Sequence, residues 1–154
     1  MESGSLNSRA AGSGVVKGMV KDLKTKYNKE KTWRYSNCKE GDSMTEKKIR
    51  EVIDKFAEEA KRIYGIKLEG LILYGSCARG DFQNDSDIDI LILLNVPLED
   101  ISSERNRILD ISDKLDLEYD VVLAPVVQNY ELYQKYIPVS SFYQNVEREG
   151  VKIA

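Results

Sequence analysis

Asp87 and Asp89 stand two residues apart at the mouth of an apolar run, Ile88 to Leu94. In an extended strand, side chains at i and i+2 point to the same face, so the two carboxylates lie side by side. Like charges that close raise one another's pKa unless a cation neutralises them. A divalent ion with hard oxygen ligands answers this need. Magnesium fits best, because it takes one or two carboxylates and completes its shell with water and substrate phosphates. The chain holds no histidine. Every Ser-His, Cys-His or His-metal mechanism built within this chain is thereby excluded.

Upstream, Gly75-Ser76 follows the apolar run Leu71-Ile72-Leu73-Tyr74. A glycine at a strand end, followed by a hydroxyl and a helix start, lets backbone N–H groups approach an anion closely. Ser76 adds a donor, Arg79 lies about a turn further on, and Gly80 keeps the path open. No Lys-Ser/Thr pair follows the glycine, so this is not a Walker loop. A third carboxylate, Asp120, precedes the apolar residues Val121, Val122 and Leu123. Asp116 and Glu118 lie close by, and strand register decides which of the three points inward. Three converging carboxylates holding two metals would suit in-line attack at phosphorus, hence phosphoryl or nucleotidyl transfer. Asp81 and Asp85 read as solvated loop residues, and Cys77 as a small packed residue beside the turn.

The elements that position these groups follow from periodicity. Ile49, Val52, Ile53, Phe56, Ala57, Ala60, Ile63 and Tyr64 recur at three and four, the stripe of an amphipathic helix from Thr45, with Gly65 as its stop. Ser43 with Glu46 has capping-box spacing, and Thr45 is the alternative cap. Lys67–Tyr74 and Asp87–Leu94 read as strands, the second buried on both faces. Leu98–Leu115 reads as a helix, Tyr119–Ala124 as a third strand ended by Pro125, and Tyr130–Tyr136 as a short helix. A last helix covers Phe142–Glu149, with Ser141 and Gln144 as a capping box, before an edge strand at Val151–Ile153. The expected class is α/β (α+β), a small mixed sheet flanked by helices on one side.

At 154 residues with 42% hydrophobic content the chain can bury a core as one domain. Residues 1–43 carry 9 Lys+Arg and 5 Asp+Glu, a net +4, against 14 and 21, a net −7, in residues 44–154. We expect 1–43 to be a flexible basic extension, disordered or non-native, and 44–154 to be the working domain. The acidic body argues against broad nucleic-acid binding. No run is long enough to span a bilayer, no signal-peptide core is present, and the two cysteines make no disulfide framework, so a cytoplasmic location is expected.

The run Gly75-Ser76-x-Ala78-Arg79-Gly80, five residues on to Ser86-Asp87-x-Asp89, resembles the signature of nucleotidyltransferases of the DNA polymerase β superfamily, especially the minimal prokaryotic domains. The likeness covers Thr45 to Ile153, and Phe142 to Gly150 is similar to the usual close of those domains. The resemblance implies that Gly75 and Ser76 hold the β/γ-phosphates of a nucleoside triphosphate, with Arg79, Gly80 and Ser86 assisting. It implies that Asp87, Asp89 and Asp120 are catalytic and hold two Mg2+ ions, Asp120 also serving as base. ATP would be the substrate and an AMP-bearing hydroxyl the product. Larger relatives add a helical acceptor domain, which this chain is expected to lack. It therefore resembles the antitoxin half of a toxin–antitoxin pair, which would adenylylate a tyrosine of a helical HEPN-type toxin. The alternatives are a small-molecule, aminoglycoside-type nucleotidyltransferase completed by a homo- or hetero-oligomer, and a non-catalytic docking module.

Overall fold

A computed structural model of the chain describes residues 44–154. The expectation for residues 1–43 lies outside the described residues. Helix α1, Glu46–Tyr64, starts where the Thr45 side chain accepts the Lys48 N–H at 3.2 Å. It ends at Gly65, φ +52°, whose N–H donates to the Lys61 carbonyl. Its buried stripe, Ile49, Val52, Ile53, Phe56, Ala57, Ala60 and Tyr64, is the one the periodicity marks out.

Strand β1, Leu68–Tyr74, pairs antiparallel with β2, Ile88–Leu94, and the short helix α2, Gly75–Arg79, leads off the end of β1. Helix α3 spans Ile101–Tyr119 and strand β3 Leu123–Asn129. Two short helices follow, α4 at Tyr130–Tyr136 and α5 at Ser141–Glu149, and then β4 at Val151–Lys152. The sheet order is β3-β2-β1-β4, with β2 and β3 parallel and the other pairs antiparallel, so the sheet is mixed as expected.

Strand β2 is central and carries apolar side chains on both faces. Ile88, Ile90, Ile92 and Leu94 join the core formed with α1 and α3, and Leu91 and Leu93 pack with Tyr133 of α4 and Val146 of α5. Each fully buried Ile or Leu contributes about 1.5–3 kcal/mol. The expected fold class holds, with one detail corrected. Helices cover the sheet on both sides, because a strand apolar on both faces needs apolar partners on both.

Three boundaries also differ from expectation. The third strand is not Tyr119–Ala124: helix α3 continues to Tyr119, Asp120 turns in the left-handed region at φ +50°, and β3 begins at Leu123. Pro125 lies inside β3 instead of ending it. An edge strand tolerates proline because its outward N–H has no ladder partner to lose. At α5 the cap is Ser140, which accepts the Tyr143 N–H, and Gln144 donates to the Pro138 carbonyl instead of closing a box with Ser141.

Candidate active site

Register places the site residues. Asp89 is the cross-strand partner of Tyr74 on one side and of Ala124 on the other. Asp89 shares its face with Leu91 and Leu93, so its carboxylate stands on the sheet face that α4 and α5 cover only in part. Asp87 lies just before β2 and is exposed.

Gly75 shapes the other wall. It has φ +70°, and a Cβ built there would collide with Asp89 Oδ2 and lie 3.3 Å from its Cγ. The turn backbone thus rests directly on the Asp89 carboxylate, as only a glycine allows. The left-handed Gly80, φ +82°, closes α2 with its N–H on the Ser76 carbonyl at 2.9 Å. The Asp81 N–H reaches the same carbonyl at 3.2 Å. In the loop to β2, the Ser86 hydroxyl accepts the Gln83 N–H at 2.7 Å. Cys77 is buried, its thiol donates to the Asp87 carbonyl at 3.5 Å, and burial pushes its pKa up to about 11. It is a packed, protonated thiol that ties α2 to the strand entry.

Electrostatics single out Asp89. Burial pushes its carboxyl above the usual range, Asp87 pushes it further, and Arg79 pulls the other way. Arg79 is itself engaged, with Asp81 Oδ2 at 3.3 Å and with Glu149 Oε2 of α5 at 3.4 Å.

The structure brings Gly75, Ser76, Asp87 and Asp89 together with Arg79 within electrostatic reach. It does not gather the acidic groups into a cage. Among the described residues, no group of three or more His, Cys, Asp or Glu is arranged to hold a metal. Asp120 is exposed at the end of α3, where its backbone carbonyl accepts Lys48 Nζ at 3.3 Å. Asp116 spends its carboxylate on the Leu123 N–H at 2.8 Å; burial raises its pKa, and Asp113 and Asp87 raise it further. Glu118 pairs with Lys55 at 3.0 Å on the α1 side.

Residues the sequence reading did not single out also border the site. Tyr74 contacts Phe142 edge to face, with ring centroids 5.4 Å apart, and Glu149 reaches Arg79. Tyr74 could have been found from its place directly before Gly75. The roles of Phe142 and Glu149 depend on where α5 packs, which no local spacing encodes.

With this geometry in place, comparison with known proteins gives the class. The family described as "Nucleotidyltransferase domain" matches residues 53–153. The chain belongs to this family. Two proteins of Methanocaldococcus jannaschii, each named "Putative protein adenylyltransferase", are similar to it. One is 36% identical over 106 residues, which is 68% of this chain and 98% of the relative. The other is 39% identical over 98 residues, 64% of this chain and 90% of the relative. The chain is thus a nucleotidyltransferase, and nearly the whole length of the first relative is represented in it.

Proposed function

We propose that this nucleotidyltransferase moves AMP from ATP onto a hydroxyl of a partner protein. In this reading the acceptor is a tyrosine of a helical HEPN-type toxin, and the chain acts in the cytoplasm as its antitoxin. The observation that carries the transfer chemistry is the contact between Gly75 and Asp89: a turn suited to phosphate lies against a carboxylate already disfavoured as an anion by burial and by Asp87. The names of the two relatives support a protein as the acceptor.

The residues fit Mg2+. Asp87 and Asp89 offer hard oxygens side by side, and a Cβ at Gly75 would fill the space against Asp89. When bound, magnesium neutralises charge on the α-phosphate and on the departing pyrophosphate. The backbone at Gly75 and Ser76 holds the β/γ-phosphates, assisted by Arg79, Gly80 and Ser86, and Arg79 exchanges a carboxylate partner for phosphate. The acceptor oxygen attacks the α-phosphorus, the bond from that phosphorus to the β-bridging oxygen breaks, and pyrophosphate leaves. The acceptor proton passes to a carboxylate, for which Asp120 is the candidate. Its carboxylate is exposed at the end of α3. A small cationic acceptor is the second reading, favoured by the net −7 of residues 44–154.

The test incubates the protein with Mg2+, each α-labelled nucleoside triphosphate in turn, and a purified HEPN-type partner or an aminoglycoside panel. Label from ATP on a partner tyrosine, absent with Asp87→Ala, supports the proposal. Label on small molecules alone moves the acceptor to the second reading. Neutralisation of the partner by Asp87→Ala without any label would make the chain a docking module.

A further inference from the structure

Phe142 is an aromatic ring that the fold holds in place and then leaves partly open. It stands at the second position of α5, and its centroid is 5.4 Å from those of both Tyr74 and Tyr143. Tyr143 is fixed in turn by Tyr133, at 4.9 Å, and by the Gln128 side chain, which donates to its hydroxyl. The opposite end of α5 is tied down as well. Glu149 meets Arg79, and Gly150 packs so closely that a Cβ would lie 2.7 Å from Ile72 Cγ2. Such a ring loses little further freedom on binding a flat ligand.

Yet 41% of Phe142 remains exposed. The contact with Tyr74 is edge to face, at 84° between ring planes, so the two rings form no parallel stack. Its position relative to the chemistry is set by register. Tyr74 and Asp89 are directly paired across β1 and β2 and share one face. Asp89 and Phe142 are thus joined through Tyr74, which pairs with the first across the strands and meets the second ring to ring, and which Gly75 of the turn follows directly in the chain.

We infer that Phe142, buttressed by Tyr74 and Tyr143, is the stacking surface for the base of the nucleoside triphosphate. The inference rests on the reading that the triphosphate lies at Gly75 and Asp89. It accounts for an exposed ring at this point of the fold, and it gives the base a contact that is tolerant of sequence, because every base has a π-face. Discrimination among the four bases by this ring alone is accordingly weak.

The test measures Mg2+-dependent binding of two probes to the full chain: 2-aminopurine riboside triphosphate, followed by its fluorescence, and inorganic tripolyphosphate. The wild type should bind both and quench the 2-aminopurine. Phe142→Ala should lower affinity for the nucleotide by about 5- to 140-fold, the range for losing one base–aromatic stack. It should also abolish the quench and leave tripolyphosphate affinity unchanged. Phe142→Trp should restore both binding and quench, which guards against a variant that simply misfolds. Unchanged nucleotide affinity in Phe142→Ala overturns the inference, even if transfer to a protein acceptor falls, since the ring would then serve the partner. An equal loss for tripolyphosphate also overturns it, by placing the effect on the phosphates. Binding of neither probe by the wild type removes the triphosphate site itself and the stacking surface with it.

Discussion

At φ +70° Gly75 occupies backbone space that an L side chain reaches only with strain, and the place of its missing Cβ is taken by Asp89 Oδ2. Gly65 offers a control within the same chain: it too has a positive φ, +52°, but nothing lies within 4 Å of its would-be Cβ. Alanine at either position costs roughly 1–2 kcal/mol of backbone strain. Only Gly75→Ala also displaces the Asp89 carboxylate. Melting curves and transfer assays on the two variants should therefore diverge: both lose stability, Gly65→Ala keeps its rate per folded molecule, and Gly75→Ala loses it. Equal retention of rate would remove the contact from the mechanism. This pair of residues was half legible in the sequence. The spacing from Gly75 to Asp89 identifies both, whereas their direct contact depends on β1 and β2 pairing with Tyr74 opposite Asp89. The third carboxylate was not legible. Asp116, Glu118 and Asp120 differ by two positions each, and an unforeseen extension of α3 to Tyr119 changed what each one faces.

Among the elements, α3 is held to its neighbours by one buried acid. Glu104 is 6% exposed and accepts Lys67 Nζ at 3.0 Å and Arg107 Nη1 at 2.7 Å. The Tyr64 hydroxyl donates to the Glu104 carbonyl at 2.8 Å, so helices α1 and α3 meet there as well. Burial pushes the Glu104 carboxyl up, but the two cations outweigh it and hold the group below its ordinary value of 4.5. A depressed acid stabilises the fold fully above the unfolded-state pKa and loses that contribution as pH falls through the folded one. Glu104→Gln should cost about 1–3 kcal/mol at pH 7, the range for losing charged hydrogen bonds at a buried group. Denaturant titrations should show the gap between wild type and variant constant above pH 5 or so and closing as the pH drops below 4.5. A gap independent of pH would mean that shape, not charge, holds the junction. Elements such as α1 and β2 were readable because their apolar periods are long and unbroken. Strand β3 was misplaced because Pro125 reads as a stop. In the fold, Leu123 points its N–H away from β2 to Asp116, and Pro125, two residues on, faces the same way with no N–H to offer. The residue that disguises the strand also blunts its open edge against pairing with another chain.

For the molecule as a whole, the candidate site is a place where stability and function pull apart. Two neighbouring carboxylates, one partly buried and raised in pKa by burial and by the other, destabilise the ligand-free fold relative to one with a neutral side chain there. Asp89→Asn removes the repulsion with almost no change in shape. Without divalent metal at pH 7, this variant should melt at or above the wild-type temperature while being inactive in transfer. Added magnesium with nucleotide should reverse the order, because a ligand that binds only the folded state stabilises it by mass action, about 2.7 kcal/mol at a hundred times its dissociation constant. The wild type gains this stabilisation and Asp89→Asn does not. Melting curves of both proteins across a magnesium titration, with and without ATP, decide the matter. Crossing curves tie the instability of the ligand-free protein to ion binding at Asp89. Parallel curves would assign the ion to other residues, and a variant that is unfolded at the outset would make Asp89 a structural group. The net −7 of residues 44–154 sharpens the expectation, since a cation bound anywhere on this acidic body gains from long-range attraction that salt screens. A specific site must therefore keep its selectivity for magnesium over sodium at matched ionic strength.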